Sequence, residues 1–308
     1  MRSQSGAITL HLNKRKKIMY TFTSRSRGHD QFRSSGAIRP LENDALRAYA
    51  PSIFAVQPIA GVSQNYSFLP TVQAVDAMRQ AGWVPVWASE QRVRLETREG
   101  FQKHMIRFQR ADQVGKYVEY LPEVCLVNSH DRSSAYQLHA GIFRMICGNG
   151  LIVADATFEK VSIRHTGFNP GLVVDASLQI LDSLPQLTDH VEGFRARQLS
   201  PAESKAFAES AILLRYDDLQ TAPVGPTKLL ECRRSDDAAG DLWSTFNRVQ
   251  ENLIRGGLKD YSRRKADRRQ FPRTRAVGGL DENVRLNKSL WHLAEALRSG
   301  SLPTVQPN

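Results

Sequence analysis

The side chains best suited to catalysis lie close together in this sequence, between residues 123 and 165. That stretch holds two of the 3 cysteines and three of the 8 histidines. The residues with catalytic side chains are His130, Asp131, Ser133, His139, Cys147, Asp155, Glu159 and His165. Carboxylate oxygens are preferred ligands of Mg²⁺ and Mn²⁺, so Asp131, Asp155 and a histidine could hold such an ion for phosphodiester hydrolysis. A metal-dependent nuclease with His130, Asp131, His139 and Asp155 as its candidate catalytic residues is therefore one hypothesis.

Each of these residues also has a plainer explanation. No spacing in the stretch matches a known metal-binding motif, so we assign no metal site. Asp131 lies in a polar segment, where an aspartate commonly bonds to the local backbone and forms a turn. Cys147 could be a nucleophile with His139 or His165 as its base, but a cysteine in an apolar run is usually a buried small hydrophobe. We therefore expect a protein that is not an enzyme and that needs no cofactor. Mg²⁺ or Mn²⁺ would be required only under the nuclease alternative.

A second set of candidate residues is basic. The net charge of the chain is +11, and two polar segments account for it. Residues 1–40 contain nine Lys or Arg residues and one Asp, which gives +8, and residues 255–275 contain nine Lys or Arg residues and two Asp, which gives +7. The rest of the chain is slightly acidic. Because arginine binds phosphate through bidentate hydrogen bonds, the second segment predicts contact with the backbone of a nucleic acid.

We call residues 255–280 the basic arm. Its predicted nucleic-acid contacts are Arg255, Lys259, Tyr261, Arg263, Arg264, Lys265, Arg268, Arg269, Arg273 and Arg275. Tyr261 and Phe271 could stack on unpaired bases. No zinc finger, zipper or recognition helix is visible, so binding should depend strongly on salt and weakly on base sequence. A solvated charge run, or an arm that docks on the acidic remainder of the chain, is the alternative.

The elements that position these residues begin with an antiparallel sheet. Strands are predicted at residues 83–87, 92–98, 103–110, 124–127, 135–147, 151–154 and 161–164. Pro85 lacks a backbone donor and therefore indicates an edge strand. In 92–98 apolar residues alternate with arginines and a glutamate, which predicts a solvated, arginine-rich face. Gly141, where the apolar phase changes, predicts a β-bulge, and a helix through Leu138, Ile142 and Met145 is the alternative. Residues 148–150 predict a tight turn.

Helices are predicted before and after this sheet. Thr71 is the expected N-cap of the first long helix. A helix that begins near residue 172 should stop at Pro185, and a capping box formed by Ser200 and Glu203 opens the next one. Two amphipathic helices at about 238–254 and 281–300 then form a hairpin, and the basic arm connects them.

The fold class is therefore α+β, an antiparallel sheet with packed helices followed by a C-terminal helical hairpin with a long basic loop. The predicted domains are a basic, largely disordered extension at 1–40, an α+β core at 41–220 and the hairpin at 227–300, with a disordered tail at 301–308. Trp243 and Trp291 lie one position off the inward stripes of the hairpin. They are candidate anchors for a protein partner, and packing at the edge of the core is the alternative that we favour.

The cysteine content and the apolar runs of the chain predict its cellular compartment. Three cysteines without a CxxC pair argue against a disulfide framework and against a structural zinc site, which favours a reduced cytoplasm. No apolar run approaches the about 18 residues of a membrane-spanning helix, and the first residues lack the apolar core of a signal peptide. We therefore expect a cytoplasmic protein that does not contact membranes.

Three runs of residues carry a resemblance to a known family. They are NSHDRSSAYQLHAGIFRMICGNGLIVAD, DLWSTFNRVQENLIRGGL and TRAVGGLDENVRLNKSLWHLAE. Over roughly residues 41–299 the chain resembles the family called domain of unknown function 932, whose members more often have Ser or Thr at the position of Gly148. The resemblance implies a gene carried on a plasmid, prophage or other mobile element, and it supplies no activity or catalytic residues.

Together these observations predict a nucleic-acid-binding protein of a mobile element. DNA is the expected ligand, and single-strand binding or annealing in replication or recombination is the specific form of the prediction. The alternatives are the metal-dependent nuclease at His130 and Asp131 and a protein that modulates a host process by binding a host protein. Assembly into a homo-oligomer is also open.

Overall fold

The chain folds as an antiparallel sheet with packed helices and a C-terminal helical hairpin, which confirms the predicted α+β class. The computed structural model describes residues 38–62, 68–116, 120–144, 149–152, 161–163, 169–263 and 273–300. The predicted tail at 301–308 and nearly all of the predicted extension at 1–40 lie outside these residues.

The described sheet has six strands, all paired in antiparallel fashion. They are β1 (Trp83–Glu90), β2 (His104–Arg110), β3 (Tyr120–Asn128), β4 (Tyr136–Arg144), β5 (Asn149–Ile152) and β6 (Val161–Ile163). The order is β1-β2-β3-β4-β5, and β6 also pairs with β4. Since β3 occupies one edge of β4, both β5 and β6 pair along its other edge. β1 is an edge strand, as Pro85 predicts.

Helices cover the sheet and make up the C-terminal part of the chain. Those in the described residues are α1 (Asn43–Tyr49), α2 (Thr71–Gln80), α3 (Pro170–Ala196), α4 (Pro201–Leu213), α5 (Pro226–Leu229), α6 (Leu242–Arg255) and α7 (Leu280–Arg298). The capping box of α4 is confirmed, because the Ser200 hydroxyl accepts from Glu203 N and the Glu203 carboxylate accepts from Ser200 N. Across the described helices, none combines the length and apolar character needed to cross a membrane.

One face of the sheet and the helices share a single hydrophobic cluster. Ile106, Leu126 and Leu138 project into it from β2, β3 and β4, and buried residues of α2, α3, α4, α6 and α7 complete it. Ala222 and Val224, from the predicted linker, are buried in the same cluster. In the described residues, therefore, the predicted core at 41–220 and the predicted hairpin at 227–300 pack around one continuous core.

The strand predicted at 92–98 is wrong. β1 ends at Glu90, which pairs with His104 at the start of β2, so residues 92–98 lie in the connection between two paired strands. That connection contains a 3-10 helix at Glu96–Arg98, and Leu95 is exposed. Alternation of apolar and polar residues appears in exposed connections as well as in strands. The arginine-rich side chains thus belong to a loop.

Three local predictions also need correction. α3 continues through Pro185 to Ala196, so the proline does not end the helix. β3 and β4 pair without a change of register at Gly141, which excludes the predicted bulge. Thr71 is the first residue of α2, and its side chain does not cap that helix.

In the turn predicted at 148–150, Asn149 and Gly150 lie in β5, and residue 148 is outside the described residues.

The two tryptophans proposed as anchors for a protein partner are core residues. Trp243 and Trp291 are almost fully buried, and both pack against Phe246. A buried indole cannot contact another protein, so this basis for the partner-binding alternative is wrong.

Candidate nucleic-acid interface

The described beginning and end of the basic arm are hydrogen-bonded to each other. We call residues 256–263 the outgoing leg, residues 273–280 the returning leg, and the two together the stem. Gly257 N donates to the carbonyl of Thr274 at 2.8 Å, and Thr274 N donates back to the carbonyl of Leu258 at 3.0 Å. The Thr274 hydroxyl also accepts from Leu258 N at 2.9 Å. These bonds hold the legs side by side, and residues 264–272, which the legs carry, lie outside the described residues.

Two arginines from outside the arm fix the spacing of the legs. Arg215 donates to the carbonyl of Leu253, in the last turn of α6, and to the carbonyl of Arg275 in the returning leg. Arg233 donates to the carbonyl of Gly256 at 2.7 Å. Carbonyls at a helix C-terminus lack partners within the helix, so these guanidinium groups satisfy them. The stem is thereby tied to the body of the protein.

A carboxylate also attaches the outgoing leg to the body. Asp260 accepts from Gly225 N at 2.7 Å and from Ser262 N at 3.0 Å. Burial alone would raise the pKa of Asp260, but the hydrogen bonds from Ser262 and Gly225 lower it below its ordinary value. The next turn brings Arg263 against the body, where it donates to the Leu219 carbonyl at 2.8 Å.

Four of the predicted contact residues project from the described stem into solvent. Lys259 and Arg273 form an isolated antiparallel bridge and are exposed. Directly opposite residues of such a pair project to the same side, so these two cations lie on one side of the stem. Arg275 is exposed as well, and Tyr261 keeps 64% of its surface accessible. The stem therefore combines three cations with an exposed aromatic ring.

The other predicted contact residues are placed differently. Arg255 forms an ion pair with Glu251 on the same helix, and Arg263 is bonded to backbone carbonyls of the body. Both guanidinium groups have protein partners and are less suited to phosphate. The remaining predicted contacts lie outside the described residues: Arg264, Lys265, Arg268 and Arg269.

His130 belongs to a buried cluster that the sequence reasoning missed. We call Ser52, Thr71, His104, Asn128 and His130 the histidine network, and all five residues have 0% exposed surface. Thr71 Oγ1 lies 2.9 Å from His104 Nε2, 3.1 Å from His130 Nε2 and 2.9 Å from Asn128 Nδ2. His104 Nδ1 lies 2.9 Å from Ser52 Oγ. Side chains without exposed surface are not placed to meet a substrate from solvent.

Strand pairing explains why the network forms. His104 at the start of β2 is the cross-strand partner of Asn128 at the end of β3, and His130 follows two residues later. The sequence signal that could have revealed it is a set of polar residues at the predicted strand ends. Thr71 completes the set because α2 begins beside the same end of the sheet.

The remaining catalytic candidates do not assemble into a site within the described residues. Asp131 accepts from Ser133 N at 3.0 Å and lies 3.8 Å from Arg98. Burial favours a higher pKa for Asp131, but hydrogen bonds from Ser133 lower it. This geometry is that of a turn-forming aspartate. His139 pairs with Cys125 across β3 and β4 and lies on the sheet face opposite Leu138.

Metal chemistry finds no support in the part of the chain that the structure describes. No group of three or more His, Cys, Asp or Glu side chains there could hold a metal ion. The candidates Cys147, Asp155, Glu159 and His165 lie outside the described residues.

A second buried polar cluster lies on the face of the sheet opposite the main core. Arg107 Nε is 2.8 Å from Glu123 Oε2, and Gln109 donates to Glu123 Oε1 at 2.9 Å. Burial raises the pKa of Glu123, and the neighbouring Arg107 partly opposes this effect. Burial also raises the pKa of the Cys125 thiol. A thiol with a raised pKa is a poor nucleophile, so we interpret this cluster as structural.

The fold defines the class of the protein: an α+β domain whose last two long helices are joined by a basic segment with an anchored stem. The chain belongs to the family described as Domain of unknown function (DUF932), whose model matches residues 58–291. It is 36% identical over 260 residues to two proteins of Escherichia coli (strain K12), UPF0380 protein YafZ and UPF0380 protein YfjQ. Each comparison covers 84% of this chain and 92% of the relative. No solved structure matches the chain.

Proposed function

We propose that the protein binds nucleic acid through the basic arm and that its ligand is single-stranded DNA. The observation that carries the proposal is a set of exposed residues on the stem, made up of the aromatic Tyr261 and the cations Lys259, Arg273 and Arg275. Mobile-element replication or recombination, the context implied by the family resemblance, is the process we propose for it.

The chemistry of the exposed set favours an unpaired strand. Cations bind the phosphates, and an aromatic ring stacks on a base face that the neighbouring base pairs cover in a duplex. A stacked base contributes about 1–3 kcal/mol in such complexes, with little dependence on base identity. Phosphate contacts make the affinity fall steeply as salt rises.

The body of the protein supports the arm electrostatically and mechanically. The chain outside residues 1–40 and 255–275 is slightly acidic, so its net charge does not attract phosphate, and the arm is the basic segment whose stem the structure describes. Arg215 and Asp260 hold the stem through backbone groups, and the cationic side chains are not needed for that attachment. A nucleic acid therefore meets a stem that is already ordered.

The test is fluorescence anisotropy of a labelled single-stranded oligonucleotide and of its duplex at two salt concentrations. The arm variant is Lys259→Ser/Arg273→Ser/Arg275→Ser, which leaves the backbone bonds of the stem in place. The control Arg94→Ser/Lys116→Ser/Lys205→Ser removes the same charge from exposed residues outside the arm.

We expect the wild-type protein to bind the single strand more tightly than the duplex. The arm variant should weaken binding by tenfold or more and reduce the salt slope by about 2, since each lost contact accounts for roughly 0.7. Tyr261→Ala should weaken binding to the single strand by about tenfold and leave duplex binding unchanged. Absence of binding by the wild type, or equal losses in the arm and control variants, would refute the proposal.

A further inference from the structure

The histidine network joins four parts of the chain at one end of the sheet. Ser52 lies in the 3-10 helix Pro51–Phe54 and Thr71 begins α2, while His104 and Asn128 belong to β2 and β3. His130 is anchored through its backbone, where its N–H donates to the Phe101 carbonyl at 2.9 Å. The network thus attaches the segment before β1 to the sheet.

The number of donors and acceptors around the Thr71 hydroxyl limits where the protons of the network can lie. The Thr71 hydroxyl has one proton and two lone pairs, and Asn128 Nδ2 donates to it. One lone pair and one proton remain for the two histidine Nε2 atoms. One histidine must therefore accept from the hydroxyl, and the other must donate to it.

The carbonyl of Gln102 indicates which histidine accepts from the Thr71 hydroxyl and which one donates to it. It lies 3.2 Å from His104 Nδ1 and can only accept, whereas the Ser52 hydroxyl, 2.9 Å from the same atom, can accept or donate. A proton on Nδ1 satisfies both groups, so we place the proton of His104 there. His104 Nε2 then accepts from the Thr71 hydroxyl, and His130 donates from its Nε2. Both rings are neutral in this arrangement, and Thr71 forms one bond as a donor and two as an acceptor.

A proton added to His104 breaks this arrangement. Its Nε2 would become a third donor facing a Thr71 oxygen with two lone pairs, and the Thr71 proton would lose its acceptor. The charge would also be buried beside His130, whose ring centroid is 5.5 Å away. Burial lowers the pKa of His104 to about 4, against smaller raising effects of the Gln102 carbonyl and of Asp131.

The charged groups around the network do not compensate for this proton. Asp131 is held by Ser133 and lies 3.8 Å from Arg98. Glu90, at the end of β1, accepts from Ser52 N and from Gln102 Nε2. Both carboxylates thus bind other groups, and the raising effect of Asp131 on the pKa of His104 is smaller than the lowering effect of burial. The described 3-10 helix and the first turn of α2 contribute no ionisable side chain to the network.

We propose that the histidine network is a pH-sensitive lock that holds the segment around Ser52 and the start of α2 on the sheet. The lock is closed while His104 is neutral, and protonation of His104 opens it. This inference is independent of the proposed nucleic-acid binding.

The pH window follows from the two states of His104. The unfolded chain protonates this residue near 6.5, and the folded chain does so at about 4. Between these values the unfolded or opened state takes up a proton that the closed state excludes, so stability falls as pH falls through this window. From well above pH 6.5 to well below pH 4 the opening equilibrium constant rises by about 300-fold in total.

The direct test is a titration of the wild-type protein with isotope-labelled histidine, observed by NMR. We expect His104 to show the Nδ1–H tautomer and His130 the Nε2–H tautomer at pH 7.5, with His104 still neutral at pH 5.5. Titration of His104 near 6.5, or the opposite tautomer, would overturn the proposal whatever the behaviour of any variant.

A second test separates the lock from general acid sensitivity. His104→Gln keeps an acceptor near Thr71 and removes the titrating group, so the fall in Tm between pH 7 and 5 should become shallower than in the wild type. The control His292→Gln changes an exposed histidine and should keep the wild-type slope. Ile59 N donates to the His130 carbonyl at 3.1 Å and His130 N donates to Phe101, so exchange of these two amides, corrected for intrinsic rates, should accelerate at pH 5 in the wild type. An unchanged slope in His104→Gln contradicts the lock.

Discussion

Gly256 lies directly against the backbone of Arg275, so a Cβ atom at position 256 would overlap the carbonyl group of Arg275. Gly256 also has φ 60° and ψ −149°, a backbone conformation that is almost restricted to glycine. The two legs of the basic arm can approach each other here because residue 256 has no side chain. The close approach of the returning leg to the end of α6 therefore requires glycine at position 256.

Gly256→Ala should therefore destabilise the protein by about 2 kcal/mol or more, since backbone strain and the overlap with Arg275 act together. Gly257→Ala is the matched control. Gly257 also has a positive φ, 79°, but a Cβ there would meet nothing within 4 Å. It should cost only about 1 kcal/mol. Urea denaturation measures both values, and equal losses would show that the overlap is relieved at no cost.

The buried pair Arg107 and Glu123 should respond asymmetrically to substitution. Glu123→Ala leaves the Arg107 guanidinium buried and without its carboxylate, which costs about 3–5 kcal/mol in comparable sites. Arg107→Met/Glu123→Leu removes both charges and fills a similar volume, so it should cost far less. Urea denaturation of the two variants gives the comparison. A double variant that is as unstable as Glu123→Ala would mean that the ion pair itself stabilises the fold.

Helical periodicity and one capping motif in the sequence predicted helices that the structure confirms, whereas the stop at Pro185 and the cap at Thr71 were wrong. Leu286, Leu290 and Leu297 recur at helical spacing and are buried in α7, and Ser200 with Glu203 forms the predicted cap. Such signals depend on residues within a few positions of each other. They identify a helix and its buried face without knowledge of its partners.

Features that depend on pairing between distant residues were not predictable in the same way. Residues 92–98 alternate as a strand would, but β1 and β2 pair without them. His104 and His130 come together only because β2 lies beside β3, and Thr71 reaches them from α2. The stem of the arm likewise depends on Arg215, which is far from it in sequence. Composition located the charge, and tertiary contacts decided which arginines project into solvent.

The capping box of α4 should contribute stability that depends on pH. Hydrogen bonds from Ser200 N and the Ser200 hydroxyl, and then from Arg197, lower the pKa of Glu203 to about 2. A lowered carboxyl pKa gives stability above the unfolded value near 4.5 that is lost as pH falls towards 2. The Tm advantage of the wild type over Glu203→Gln should therefore shrink across this range. Glu209→Gln, on the same helix, should show a smaller pH dependence.

Arg215 should affect nucleic-acid binding without touching the ligand. Its guanidinium group holds the carbonyls of Leu253 and Arg275 and so keeps the two legs of the stem together. In Arg215→Gln the legs should separate more often, so the amides of Gly257 and Thr274 should exchange faster. A loosened stem must be ordered again on binding, so affinity for the single-stranded oligonucleotide should fall several-fold.

The appropriate control for Arg215 is Arg285→Gln. Arg285 is half-exposed, pairs with Glu282 and donates to the Leu214 carbonyl, so its loss removes the same charge without releasing either leg. If affinity depends on an ordered stem, Arg215→Gln should weaken binding clearly more than Arg285→Gln, and only Arg215→Gln should accelerate exchange at Gly257 and Thr274. Equal losses of affinity with unchanged exchange would mean that charge alone governs binding and that the anchored stem has no part in it.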